Sequence, residues 1–161
     1  MSLHKAINLD DLRLAARRRL PRLAFDFIEG GVDGEVGIQR NEQAFRRYRL
    51  MPRYLVDISR RSQAQTLFGR TWASPFGFCP TGMAGLWRPG TDRLLATAAA
   101  KADIPNLMSC ASNLAIEKAV ALAPRNMWFQ IYCGRDRRYT DEFLRRLADL
   151  AVETVVITVD V

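Results

Sequence analysis

The stretch from Met127 to Val159, MWFQIYCGRDRRYTDEFLRRLADLAVETVVITV, decides how this chain is read. Met127 to Ile131 is a short, largely apolar run ending at Tyr132. Thr140 can then cap a helix whose apolar face holds Phe143, Leu144, Leu147 and Leu150, and Glu153 to Val159 is a second apolar run. A strand, a helix and another strand at this spacing make a parallel crossover unit, because strands covered by helices are apolar along their whole length.

The same unit repeats upstream. Pro75 to Cys79 ends in Pro80-Thr81-Gly82 and precedes a helix from Asp92 to Ala102, with Thr91 as its cap. Asn106 to Met108 ends in Ser109-Cys110 and precedes a helix from Leu114 to Leu122, with Asn113 as its cap. Four strands alternating with three helices predict an α/β fold with a parallel sheet.

The first part of the chain has another character. Asn8 can cap a helix that places Leu9, Leu12, Ala16 and Leu20 on one face, and Pro21 ends it. A second helix begins at Pro21, carries Leu23, Ala24, Phe27 and Ile28 on an apolar stripe, and stops at Gly30-Gly31. A third runs from Glu35 to Arg47, and Ala64 to Ala73 reads as a hairpin turning at Gly69-Arg70. The chain divides into a helical segment (1–62), a hairpin (63–74) and the alternating segment (75–161), all within one domain.

Composition narrows the function. With 48% hydrophobic and 25% charged residues the chain is a folded protein, and it has neither a signal-like apolar stretch nor a bilayer-spanning run, so a cytoplasmic location is expected. Lys+Arg number 24 against 17 Asp+Glu, and all the cations but Lys5, Lys101 and Lys118 are arginines. Such a balance fits nucleic acid, an anionic membrane or an anionic small molecule, but the arginines are scattered and no stripe interleaves them with aromatics. Cys79, Cys110 and Cys133 lack metal spacing and are expected as reduced thiols in or near the core. The one histidine, His4, sits at the N-terminus, away from any expected strand end.

Polar residues collect where the strands finish. Thr81, Ser109, Gln130 with Tyr132, and Thr158 with Asp160 all fall at C-terminal strand ends, where α/β sheets and barrels assemble their sites. Each alone has a plain use as a helix cap, a satisfied core amide or a turn residue. Their recurrence at four ends points to a site. Gly77 to Gly82 has the glycine separation of a phosphate loop, but Met83-Ala84 replace its Lys and Ser/Thr, and no serine elbow or metal motif is present. Hydroxyl, amide and backbone groups without a strong base suit a flat heteroaromatic cofactor gripped at its polar edge.

The chain resembles the N-terminal part of the FMN-dependent α-hydroxy-acid oxidoreductases, the group of glycolate oxidase, flavin L-lactate dehydrogenases and (S)-mandelate dehydrogenase. Leu20-Pro21-Arg22, Phe25 to Gly31, Arg40-Asn41, Phe45, Pro80 to Gly82, Ser109 to Asn113, Trp128 to Tyr132 and Thr158 to Asp160 carry the resemblance, in family order. It implies a (β/α)8 barrel and FMN as cofactor. By the same resemblance Pro80, Thr81 and Gly82 lie against the flavin, while Ser109, Gln130 and Thr158 hydrogen-bond it. Tyr132 would contact the reacting part of a 2-hydroxy acid, and Asp160 would orient a catalytic histidine. Phe27 stands where the family usually has a carboxylate-binding tyrosine. Without that hydroxyl, about 1.5–3 kcal/mol of binding is lost, unless Phe27 is simply a helix-face residue filling the core.

A full barrel needs about 250 residues, so the resemblance predicts the N-terminal half of an enzyme oxidising a lactate-, mandelate- or glycolate-type acid to its 2-oxo acid. Taken alone, the chain is expected to be inactive, to hold FMN weakly and to self-associate through open sheet edges. The intact enzyme would be a homo-oligomer, with peripheral inner-membrane attachment compatible with the resemblance and the electron acceptor left open. The competing readings are a non-catalytic basic module binding nucleic acid or an acidic partner, and a degenerate pseudoenzyme.

Overall fold

A computed structural model describes residues 6–159, in two units that meet at Ser59 and Arg60. His4 and Asp160 lie outside the described residues.

The first unit is helical. Helix α1 (Leu9–Arg19) starts where the Asn8 side chain accepts the Asp11 N–H at 2.9 Å, and Asp10 and Asp11 in its first turn oppose the helix dipole favourably. Helix α2 (Arg22–Glu29) follows Pro21, and Arg13 on α1 pairs with Glu29 on α2. Helix α3 (Val36–Phe45) completes the unit and buries nothing. The apolar stripe expected on α2 is not its buried face. Phe25 is buried, whereas Leu23, Phe27 and Ile28 are exposed, Phe27 at 71%. Ala15 and Phe25 are the buried apolar residues of this unit.

The second unit opens with an antiparallel hairpin, β1 (Gln65–Leu67) and β2 (Arg70–Trp72). Phe68 and Gly69 both take left-handed backbone angles, the two-residue turn whose twist matches that of the strands. A parallel sheet follows in the order β3 (Asn106–Ser109), β4 (Met127–Tyr132), β5 (Val155–Thr158). Helices α4 (Thr91–Ala102), α5 (Ile116–Leu122) and α6 (Arg137–Asp149) alternate with these strands, as the spacing predicts.

The expected first strand is shorter than the sequence suggests. Of Pro75 to Cys79, only Phe78 pairs with the sheet, its N–H donating to Pro105 O at 3.0 Å and its carbonyl accepting from Leu107 N–H at 3.0 Å. Proline at 75 and 80 removes donors on either side of it. Helix starts also shift. Gly90, Ala115 and Asp136 occupy the cap positions expected for Thr91, Asn113 and Thr140. Thr91 instead donates its hydroxyl to Arg88 O, and the Thr140 hydroxyl accepts from Gly134 N–H.

Alternation along the strands sorts the two sheet faces. Met108, Met127, Phe129 and Ile131 point to the helices and join Ala96, Ile116, Ala119, Ala123 and Leu147 in one buried cluster. The other face carries Leu107, Trp128, Gln130, Tyr132 and Thr158. Its N-terminal end is closed by the hairpin. Trp72, 2% exposed, and Phe68 both meet the Trp128 ring edge-on, and the Arg70 guanidinium stacks on Trp72.

The three cysteines are exposed rather than in or near the core. Cys110 and Cys133 each stand just beyond a strand's last residue, where core packing has ended, and Cys79 directly follows the Phe78 bridge.

Candidate functional site

The parallel register puts Ser109 level with Gln130, and Tyr132 level with Thr158. Partners in a parallel ladder point to the same face, so Ser109 and Gln130 emerge side by side at the C-terminal end of the sheet. The Gln130 side chain then spans three strands. Its Oε1 lies 3.3 Å from Ser109 Oγ and accepts the Cys110 N–H at 3.3 Å, while its Nε2 donates to Thr158 Oγ1 at 2.8 Å. Ser109 Oγ also accepts the Ala111 N–H at 3.2 Å.

Burial makes this row consequential. Gln130 is 3% and Ser109 6% exposed, so an unmet polar group on either would carry a desolvation cost. The row avoids that cost within the protein and still opens to solvent at Thr158, which is half-buried. Tyr132 stands one step further out and is 46% exposed.

The segment after Phe78 approaches the same place. Met83 N–H donates to Ala111 O at 2.8 Å, tying the Pro80-Thr81-Gly82 turn to the loop after β3. A Cβ on Gly82 would stand 3.8 Å from Ser109 Oγ and 3.4 Å from Ala111 Cβ, so glycine leaves main chain bare beside the row. Thr81 is exposed and Pro80 half-buried. Ser109, Gln130 and Thr158 are therefore in direct contact, Gly82 adjoins them and Tyr132 borders them. Phe27 belongs to the first unit, and Asp160 lies outside the described residues.

A hollow of about 290 Å³ lies on the helix side of the same strand end, lined by Cys110, Ile131, Tyr132, Tyr139, Thr140 and Phe143. Phe143 also packs against the buried cluster, on the apolar face of α6 where helix periodicity places it. A slightly larger groove, about 320 Å³, lies at the opposite end of the strands among Phe68, Arg70, Trp72, Arg125 and Trp128. That end lacks the convergent hydroxyl and amide groups, and ligands of α/β sheets sit at the carboxyl ends of strands.

The donor set fits a planar heteroaromatic group. Amide and hydroxyl hydrogens face a polar edge, and bare glycine main chain allows a flat ring to come close. Among the described residues no His/Cys/Asp/Glu group could hold a metal ion. No described helix is long and apolar enough to cross a membrane.

Residues 16–161 match the family model described as FMN-dependent dehydrogenase. The chain is 36% identical to (S)-mandelate dehydrogenase of Pseudomonas putida over 96% of its own length and 39% of the relative's. It is also 36% identical to 2-hydroxyacid oxidase 2 of Bos taurus, over 95% of its own length and 44% of that protein's. Its structure superposes on an oxidised active mutant of (S)-mandelate dehydrogenase with a TM-score of 0.89 at 36% identity, covering 98% of this chain and 44% of that one. The chain thus spans about two fifths of the length of the relatives it matches.

Proposed function

This chain belongs to the FMN-dependent dehydrogenase family, of whose (β/α)8 barrel its parallel sheet is a part, and from that premise we propose that it forms the flavin-holding part of an oxidoreductase acting on 2-hydroxy acids. The observation that carries the reading is the buried Ser109–Gln130–Thr158 row across the ends of three parallel strands. Bound FMN supplies a two-electron acceptor for oxidation of the acid's α-carbon, and the substrate's C–H and O–H hydrogens depart as two electrons and two protons to leave a 2-oxo acid.

The chain's own residues position and shield. Gln130 and Thr158 offer hydrogens to the cofactor's polar edge, and Ser109 fixes Gln130. Pro80, Thr81 and Gly82 pack against the ring, with Gly82 leaving room for close approach. Tyr132, exposed at the mouth, offers a hydroxyl to the substrate. Asp160 would orient the imidazole that takes the hydroxyl proton. Phe27 keeps a ring but no hydroxyl where the family's tyrosine grips carboxylate, so at this position the substrate is either held differently or bound more weakly.

Titration of the ¹⁵N-labelled chain with FMN tests the reading. Amide shifts should appear at Gly82, Ser109, Gln130 and Thr158, and Thr158→Val should weaken binding about fivefold, the value of one ordinary hydrogen bond. Shifts confined to the hairpin groove or to α1–α3 would overturn it.

A further inference from the structure

We infer that Asp92 and Asn113 are positioning residues for the Pro80-Thr81-Gly82 turn: they clamp the start of α4 to the loop after β3 and so hold that turn in place. Asn113 N–H donates to the Asp92 carboxylate at 3.2 Å, although the two residues are 21 positions apart and belong to different strand–helix units. Asn113 does not cap α5, where Ala115 stands; its N–H is committed to α4 instead. A bond to a charged acceptor is stronger than one between neutral groups.

The path from this clamp to the turn is short. From Asp92 the chain leads back through Gly90 and a single 3₁₀ turn (Ala84–Leu86) to Met83, whose φ of 52° is uncommon for a residue with a side chain. Such a reversal persists where its surroundings hold it. Two contacts do so, and both come from the loop after β3. Met83 N–H donates to Ala111 O at 2.8 Å. Gly85 lies so near Asn113 that a Cβ on it would stand 2.8 Å from Oδ1 and 3.3 Å from Cβ of that side chain. Ala111 and Asn113 thus grip the chain directly after Gly82, and Asp92 anchors the loop that grips. An aspartate in a first turn also opposes the helix dipole, a plainer use that the experiment separates from the clamp. That the turn faces a flat ring rests on the flavin reading; the clamp itself does not.

The test uses the whole chain, isotope-labelled, with amide exchange read at Asn113 and Met83. Both should exchange about tenfold faster in Asp92→Ala than in the native chain, and at near-native rates in Asp92→Asn, which keeps an acceptor oxygen without the charge. Phe129 N–H, bonded to Thr154 O in the sheet, should stay protected in all three. Asparagine as fast as alanine would make Asp92 a dipole partner only. Asn113 or Met83 unmoved by alanine would mean that the clamp does not reach the turn. Either result overturns the inference. Should Asp92→Ala lose Phe129 protection, Gly85→Ala takes its place: the new methyl must push Asn113 aside, Met83 exchange should again rise about tenfold, and an unchanged rate would overturn the clamp. FMN supplies the second arm. Its affinity should fall about fivefold in Asp92→Ala and return with asparagine, the amide shift at Gly82 following it, whereas full affinity in Asp92→Ala would deny the clamp any part in positioning. If FMN moves neither Gly82 nor Ser109 in the native chain, the flavin reading fails while Met83 exchange still decides the clamp.

Discussion

Asn126 shows how much one buried amide can organise. It is 5% exposed, and its Nδ2 donates to Ile104 O at 3.0 Å and Ala99 O at 3.3 Å, while its main-chain carbonyl accepts Asn106 N–H at 2.8 Å. It therefore joins the end of α4 to the start of β3. Asn126→Ala should cost about 2 kcal/mol, since it strips two carbonyls of a donor within the protein; a urea midpoint unchanged from native would contradict this. The same residue was not legible in sequence, because its partners Ala99 and Ile104 lie 27 and 22 positions away. Gln130 was legible as a strand-end polar group but its partners were not, because they come from Ser109 and Thr158, 21 and 28 positions away. The burial of the α2 stripe and of the three cysteines was misjudged for one reason. An apolar residue is buried only where another surface faces it, and local periodicity cannot say whether one does. Ser109→Ala probes the legible set: it removes one donor to Gln130 and one acceptor for Ala111, and about 1 kcal/mol should be lost in a denaturant titration.

At the scale of elements, the helix starts show why positions of helices were read better than their caps. Ser, Thr, Asn or Asp stand near each start, and the path of the preceding loop decides whether any of them caps: Gly90 and Ala115 hold the position for α4 and α5. For α6 it is Asp136, whose carboxylate accepts the Arg138 N–H at 3.0 Å and the Arg138 guanidinium at 2.7 Å. The guanidinium first, then the main-chain N–H, holds the Asp136 carboxyl below its ordinary value of 3.8. A depressed folded value means stability present at neutral pH and lost as pH falls through it. Asp136→Asn keeps a capping oxygen but not the charge. It should therefore be less stable than native near neutrality, with the gap closing under acid; urea midpoints across that range check it, and a gap that widens would be the wrong sign. Asp136 is half-buried and its partner Arg138 exposed, so added salt should shrink the effect. The strand at Phe78 offers a second element-scale expectation. A Cβ on Gly77 would lie 2.9 Å from Pro105 O, the acceptor of Phe78 N–H, so Gly77→Val should break that bridge and release Phe78 amide protection.

For the molecule as a whole, burial is uneven between the two units, and that decides how the chain should behave. The unit from Arg60 onward holds the one extensive buried cluster, whereas the residues before it bury Ala15 and Phe25. Residues 46–62 form neither helix nor strand and are exposed throughout, with arginine at 46, 47, 49, 53, 60 and 61. Apolar side chains lie bare among them, including Leu50, Tyr54, Leu55 and Ile58, and on β5 Ile157 is 56% exposed. Surface of this kind drives association, and an uncovered strand edge gives it a template. The formal charge of +7 works against it by mutual repulsion. Salt should settle the contest, because screening shortens the repulsion to roughly 10 Å at about 0.1 M while leaving apolar attraction intact. Light scattering on the purified chain should show mass rising with ionic strength. An ion-paired assembly would instead dissociate as salt is added, and a monomer at every salt concentration would mean the exposed apolar surface is too dispersed to drive association.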